Sequence, residues 1–254
     1  MFDFLDVRDR VAWITGGASG IGAATASLFA QAGASVAIAD VRQQAAHDLA
    51  DVIARRGGQA AAIGCDVASR VAVEAAVAQI GRELGRLDYL VTCAGVLREG
   101  SVQDFSERDW DVVVDTHLKG TFLCAQAALR MMAPQRYGKM VFVSSGAARG
   151  SRGHTAYSSA KGGVESLTRT LALDLGPLNI NVNAVAPGFI DTNMTRLEAE
   201  RLGIDFEERK RQRAALTAMN KVGKPEDVAA LAVFLCSERA AYMTGQVISV
   251  RCGP

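Results

Sequence analysis

Arg10-Val11-Ala12-Trp13-Ile14-Thr15-Gly16-Gly17-Ala18-Ser19-Gly20-Ile21-Gly22 passes from an apolar run into glycines, and Ala23 to Ala32 beyond it have helical composition. The apolar half reads as a buried parallel strand, since a strand covered on both faces needs no polar alternation. Glycines between strand and helix let the backbone approach a pyrophosphate, which rests on the free N–H groups of the helix N-terminus. The spacing is G-x-x-x-G-x-G, so the G-x-G-x-x-G fingerprint is not matched, and a tight strand-to-helix turn alone also uses glycine. Ser35-Val36-Ala37-Ile38-Ala39 reads as a second buried strand ending at Asp40. An acid 18 residues beyond Gly22 (40 − 22) is placed to accept hydrogen bonds from adenosine ribose hydroxyls and to repel a 2′-phosphate. Capping the next helix is its other use.

Outward from this stretch, strands and helices alternate. Residues 43–56 read as a helix stopped by Gly57-Gly58. Gln59 to Gly64 reads as a strand ending in Cys65-Asp66-Val67, and 69–84 as a helix. Asp88 to Thr92 is a strand closed by Cys93-Ala94-Gly95, and a long helical region runs from about Ser106 to Met132. Lys139 to Val143 is the next strand, with Ser144-Ser145 at its end. A helix from Tyr157 to about Gly176 precedes the strand Asn179 to Val185 and then Pro187-Gly188. Residues 191–220 are polar and weakly patterned, 225–237 read as a last helix, and Gln246 to Val250 as a last strand. No linker or repeat interrupts the series. The order predicts one α/β domain over 1–254: a Rossmann-like, doubly wound parallel sheet of about seven strands with helices on both faces. Ligands on such sheets bind at the carboxyl ends of the strands.

Tyr157-Ser158-Ser159-Ala160-Lys161 follows a turn-rich loop containing Gly150, Ser151 and Gly153. A spacing of four puts phenol and ammonium on one helix face, one turn apart. A phenol with a pKa near ~10 is a poor proton donor or acceptor at neutral pH. A fixed cation beside it favours the phenolate, and reaching a pKa of roughly 7 takes about 4 kcal/mol of differential stabilisation. An acid/base catalyst for interconverting an alcohol and a carbonyl needs that property. A surface Tyr and Lys sharing a face by chance show the same spacing, so the pair gains meaning only from its setting.

With 49% hydrophobic and 22% charged residues among 254, the chain has ample material for a core. A net charge of +1 argues against nucleic acid or an anionic membrane surface as the main partner. No apolar run is long enough to span a membrane, and Met1-Phe2-Asp3-Phe4-Leu5-Asp6 carries acids where a signal peptide has a basic region. Five dispersed cysteines with no CxxC pair read as buried thiols in a reducing compartment, and no metal site is expected from His47, His117 and His154. The expected location is cytoplasmic. Arg209-Lys210-Arg211 and Arg213 read as a solvated helix face, with Glu207 four residues before Arg211 as its partner.

The chain resembles the short-chain dehydrogenases/reductases of the common single-domain type, from about Arg10 to Gly253. The resemblance rests on Thr15-Gly16 with Gly20 and Gly22, Asp66, Ala94-Gly95, a serine at a strand end, Tyr157 with Lys161, and Pro187-Gly188 with Thr192. It implies hydride transfer between a nicotinamide ring and an alcohol or carbonyl carbon of a small organic substrate, in a homo-oligomer, commonly a tetramer. Carried over, Tyr157 is the acid/base, while Lys161 lowers its pKa and holds the nicotinamide ribose. The serine orients the substrate oxygen. Gly16, Ser19, Gly20, Ile21 and Gly22 hold the pyrophosphate end, Asp66 and Val67 flank the adenine, and Ala94-Gly95 lie behind the cofactor. Ile190 and Thr192 meet the carboxamide, next to Pro187 and Gly188. Asp40 makes NAD the expected cofactor. An NADP-dependent carbonyl or 3-oxoacyl reductase would want a base near the ribose, where Ser19 is none and Arg42 lies two past Asp40. A dinucleotide-binding scaffold without turnover is the alternative of another class, against which Tyr157 and Lys161 speak.

Four positions depart from the family pattern. The usual Asn-Asn-Ala-Gly reads Thr92-Cys93-Ala94-Gly95. The family's catalytic Asn, which supports a water leading from the lysine, aligns with His117 in Thr116-His117-Leu118-Lys119-Gly120. An imidazole donates and accepts in the same place but titrates near pH ~6.5, and a structural core histidine is the alternative. Reading the strand from Gly138 selects Ser145 as the catalytic serine, whereas the family's commoner spacing to Tyr157 selects Ser144; strand register favours Ser145. The usual C-terminal Asp-Gly-Gly reads Arg251-Cys252-Gly253. The pocket is expected between 96–99, 146–154 and 191–220, the last as a mobile lid. Arg149 and Arg152 on the middle loop are placed either to pair with an anionic substrate or to stand solvated on the loop's outer face or against another subunit.

Overall fold

Seven short apolar segments pair side by side, all parallel, in the order β3-β2-β1-β4-β5-β6-β7. They are β1 (Val11–Thr15), β2 (Ser35–Asp40), β3 (Gln59–Gly64), β4 (Tyr89–Thr92), β5 (Gly138–Val143), β6 (Ile180–Pro187) and β7 (Val247–Val250). The structure, a computed structural model, describes residues 5–253; residues 1–4 of the acidic N-terminal stretch lie outside the described residues, as does Pro254.

Side-chain alternation sorts each strand between two cores. On β1, Val11 and Trp13 face one, and Ala12 and Ile14 the other. The first core packs against α3 (Arg70–Leu84), α5 (Gly120–Gln135) and α6 (Thr155–Leu175); the second packs against α1 (Gly20–Gln31), α2 (Gln43–Arg55) and α9 (Pro225–Cys236). Trp13 pairs in register with Ala37 on β2 and Leu90 on β4. The chain therefore leaves β1 in both directions, and the crevice above β1 and β4 is the switch point where doubly wound sheets take ligands.

The helical region expected from Ser106 is present and runs on to Gln135, with one irregularity: α4 (Glu107–Val114) and α5 are joined by a π-helical turn, Asp115–Lys119, which carries His117 inward. Segment 191–220, polar and weakly patterned in sequence, is largely helical. It forms α7 (Asn193–Arg201) and α8 (Phe206–Ala215), each started by a side-chain cap: Thr192 accepts from the Thr195 N–H, and Asp205 from the Glu208 N–H. Only Glu198, Ala199 and Phe206 of these two helices are buried, which is why the stretch shows no apolar period. Of the five cysteines, all free, Cys65, Cys124 and Cys236 are buried, whereas Cys93 and Cys252 are partly exposed. No described helix is long and apolar enough to cross a membrane.

Candidate active site

The glycine loop is shaped by contacts that leave no room for side chains. Gly16 has φ +61°, and a Cβ there would lie 2.6 Å from the Ala94 backbone at the end of β4. A Cβ on Gly22 would lie 2.1 Å from the Gly16 carbonyl. These glycines press α1 onto the turn and the turn onto β4. Thr192 closes the same corner, its Cγ2 3.4 Å from where a Gly20 Cβ would sit.

On α6, Tyr157 and Lys161 lie one turn apart, as their spacing requires. Ser145, extended at the end of β5, accepts the Ala147 N–H at 3.1 Å, and its hydroxyl acts on the Tyr157 phenol in the direction that lowers its pKa. Ser144 points the other way, into the core: its hydroxyl donates to Glu165 Oε1 at 3.1 Å and lies 3.3 Å from the Lys161 carbonyl. Successive side chains of an extended strand point to opposite faces, so only one serine reaches Tyr157.

Electrostatics differ from the expected arrangement. Lys161 is buried, and its Nζ donates to the Val143 carbonyl at 2.6 Å, 5.7 Å from the Tyr157 ring centroid. Burial lowers its pKa to about 8, against a smaller upward pull from Cys93. Burial raises the phenol of Tyr157 above its ordinary value, opposed by the Ser145 hydroxyl and reinforced by the Glu198 carboxylate. With the ammonium turned to Val143, no lowering of the phenol by Lys161 is found.

His117 does not titrate near its ordinary value either. Burial, with the charge of Lys161, lowers its pKa to about 3, so the ring is neutral at physiological pH. Its Nε2 lies 2.7 Å from the Val96 carbonyl and 3.1 Å from the Val96 N–H, one of which each tautomer satisfies. Nδ1 is buried with no partner. A Cβ on Gly95 would meet the ring at 2.5 Å, and the ring stands at 90° to that of Tyr157, centroids 5.1 Å apart.

The ion pairs of α7 and α8 are not legible in the sequence. Arg209 pairs with Glu198, the carboxylate that acts on Tyr157, and Lys210 pairs with Asp191 at 3.2 Å and Glu207 at 2.7 Å. Arg211 takes Glu208 at 2.7 Å, not the expected Glu207. The basic run is thus tied into its own chain, and nothing in the spacing of Glu198 distinguished it from Glu200. Arg149 and Arg152 are exposed. Among the described residues no cluster of His, Cys, Asp or Glu is arranged to hold a metal ion.

A family model described as enoyl-(acyl carrier protein) reductase matches residues 16–254. The short-chain reductase protein NovJ of Streptomyces niveus is 42% identical over 243 residues, 96% of this chain and 93% of that protein. The chain belongs to the short-chain dehydrogenase/reductase family. This short-chain dehydrogenase/reductase is also 40% identical to a (2S)-[(R)-hydroxy(phenyl)methyl]succinyl-CoA dehydrogenase subunit, BbsD, of Thauera aromatica, over 98% of this chain and 97% of that one. It is 38% identical to the 3-oxoacyl-[acyl-carrier-protein] reductase FabG of Thermotoga maritima, over 96% of this chain and 97% of that one. The crystal structure of gox2181 superposes with a TM-score of 0.91 at 34% identity, covering 98% of this chain and 97% of that one. The protein is an oxidoreductase, and its family implies a nicotinamide dinucleotide.

The residues of this short-chain dehydrogenase/reductase fit such a group. The first N–H groups of α1 have no intrahelical partner, Ser19 gives no side-chain cap, and the first turn holds no acid. Asp40, buried at the end of β2, accepts the Ala18 N–H through Oδ2 at 3.1 Å, which locks it beside the loop. Asp66 is exposed beyond β3 and Val67 is buried against Gly120; Pro187, Gly188 and Ile190 line the end of β6.

Proposed function

We propose that this enzyme interconverts a secondary alcohol and a ketone of a small organic substrate, preferring NAD, with Tyr157 as proton donor and acceptor. The observation that carries the reading is the buried pair Tyr157 and Lys161, one helical turn apart on α6, with Ser145 beside the phenol at the carboxyl end of β5. When bound, the dinucleotide supplies or takes the hydride. The chain's own part is proton transfer and orientation. Ser145 holds the substrate oxygen and Tyr157 gives or receives its proton. Lys161, held on the Val143 carbonyl 5.7 Å from the Tyr157 ring centroid, is assigned to the ribose and, on release from Val143, to the phenol. Neutral His117 lines the site in place of the family amide, and 191–220, as α7 and α8, covers it as the substrate lid.

Residues 16, 19–22, 40, 66–67, 94–95, 187–188, 190 and 192 are assigned to the dinucleotide. A second reading, an NADP-dependent 3-oxoacyl reductase, has two supports: the FabG relatives and Arg42, whose guanidinium donates to Ser19 Oγ at 2.8 Å. The reading includes a cytoplasmic homo-tetramer, supported by the exposed apolar Phe122 and Leu173 on α5 and α6. Nicotinamide absorbance, followed with NAD(H) and NADP(H) against secondary alcohols, ketones and a 3-oxoacyl thioester, tests the whole. Turnover lost in Tyr157→Phe is expected. Undiminished turnover in that variant would sink the assignment.

A further inference from the structure

Two of the chain's three histidines touch the ring of Tyr157. His117 belongs to the site described above; His154 does not. Its ring lies 5.9 Å from that of Tyr157 at 60°, and its Nε2 is 2.9 Å from Oε1 of Glu99, both side chains being about four-fifths buried at 20% exposure. Glu99 sits in the loop after β4, His154 at the start of α6. The same two loops are joined by a backbone bond, Gly100 N–H to the Gly153 carbonyl at 3.1 Å.

The other ring nitrogen is served in either protonation state. Nδ1 lies 3.0 Å from the Arg152 carbonyl, to which Nδ1–H donates, and 3.3 Å from Ser151 Oγ, whose hydroxyl donates to bare Nδ1. Either way Nε2–H remains directed at Glu99. A carboxylate–imidazole pair with both nitrogens engaged fixes the ring's plane, and here that plane bears on the phenol.

We propose that Glu99 and His154 form a latch that positions Tyr157 and joins the β4–α4 and β5–α6 loops into one wall of the substrate cleft. The latch reaches the lid as well: Arg201 at the end of α7 donates to the Leu97 carbonyl at 3.1 Å, two residues before Glu99. Misplacing an acid/base group by about 1 Å costs on the order of a hundredfold in rate, so a ring that merely holds a phenol in place has a measurable effect on kcat. The proposal rests on Tyr157 being the proton-transfer group.

The test uses the full-length enzyme and five variants: Glu99→Ala, His154→Ala, their double, and the conservative Glu99→Gln and His154→Gln. Glutamine at 154 keeps an N–H where Nε2–H was. Steady-state kinetics with a 3-oxoacyl thioester or the best ketone of the panel are paired with calorimetric titration of NAD and hydrogen exchange over 96–105 and 150–157. The latch predicts that each alanine lowers kcat about ten- to a hundredfold while the Kd for NAD is unchanged. The double variant should be no worse than the poorer single, and His154→Gln should recover most of the loss. Exchange should quicken in both loops when either partner is removed. Additive losses, no loss, or a glutamine variant as poor as alanine overturns it. If the alanine variants fail to fold, the two glutamine variants carry the same comparison. If the wild type turns over nothing in the panel, the acid/base assignment has failed, and unchanged exchange in both loops would separately dispose of the latch.

Discussion

Asp40 and Arg42 meet on one carboxylate oxygen: Asp40 Oδ1 accepts both the backbone N–H of Arg42, at 3.0 Å, and its Nε–H, at 3.4 Å. The acid to which we assign the NAD preference therefore also holds the cation that a 2′-phosphate would need. NAD should exceed NADP by at least ~1.4 kcal/mol, a factor of ten in kcat/KM. Asp40→Ala should narrow the gap from both sides, removing a repulsive charge and freeing Arg42. Arg42→Ala should leave NAD use intact and depress NADP use further. Wild-type kinetics favouring NADP would refute the preference.

Tyr157→Phe should bind NAD as the wild type does and lose kcat by ~10²–10⁴, the usual size of an acid/base contribution. Lys161→Ala should lose both, since one ammonium serves the phenol and the ribose. Calorimetry beside steady-state kinetics separates the two outcomes, and a Phe variant above about a tenth of wild-type kcat contradicts proton transfer by Tyr157.

The serines should part company in kind. Ser145→Ala removes the hydroxyl that favours ionisation of Tyr157, so kcat/KM should fall with little change in Tm. Ser144→Ala removes the donor to Glu165 Oε1, whose carboxylate keeps its pair with Arg169 at 3.6 Å, and should cost about 1 kcal/mol of stability and little activity. Thermal melts and kinetics on both variants decide it; the reverse pattern would move the catalytic role to Ser144.

His117 should govern acid stability. Its pKa is about 3 in the folded chain and about 6.5 when unfolded, so between those values the unfolded chain binds the extra proton. Stability from this ring is complete above pH ~6.5 and is lost as the pH falls towards 3. His117→Asn, which cannot titrate, should flatten the unfolding free energy against pH in that window by up to about 1.4 kcal/mol per unit. Denaturant titrations at several pH values measure the slope, and equal slopes would mean the ring is not held neutral.

Much of the fold was legible because parallel strands buried on both faces read as plain apolar runs, as Ser35 to Ala39 and Lys139 to Val143 do. The glycine turn and the Tyr157–Lys161 spacing are local, and local geometry survives in sequence. Of α7 and α8 only the charged face around Arg209 to Arg213 was legible, because these helices are held by ion pairs such as Arg209–Glu198, which impose no period. Glu99 and His154 lie on different loops, so only the folded chain brings them together. The π-helical turn at His117 adds one residue to a helix and barely disturbs its pattern.

That added residue has a mechanical side. The Asp115–Lys119 turn lets α4 and α5 each keep their own buried stripe, Val113 on one and Leu123, Cys124, Ala127 and Ala128 on the other. Deleting one residue would turn one stripe against the other by about 100°, a single step of the helix. Either stripe would then face solvent. Exchanging the His117 side chain leaves both stripes where they are, whereas shortening the turn obliges a whole helix to repack.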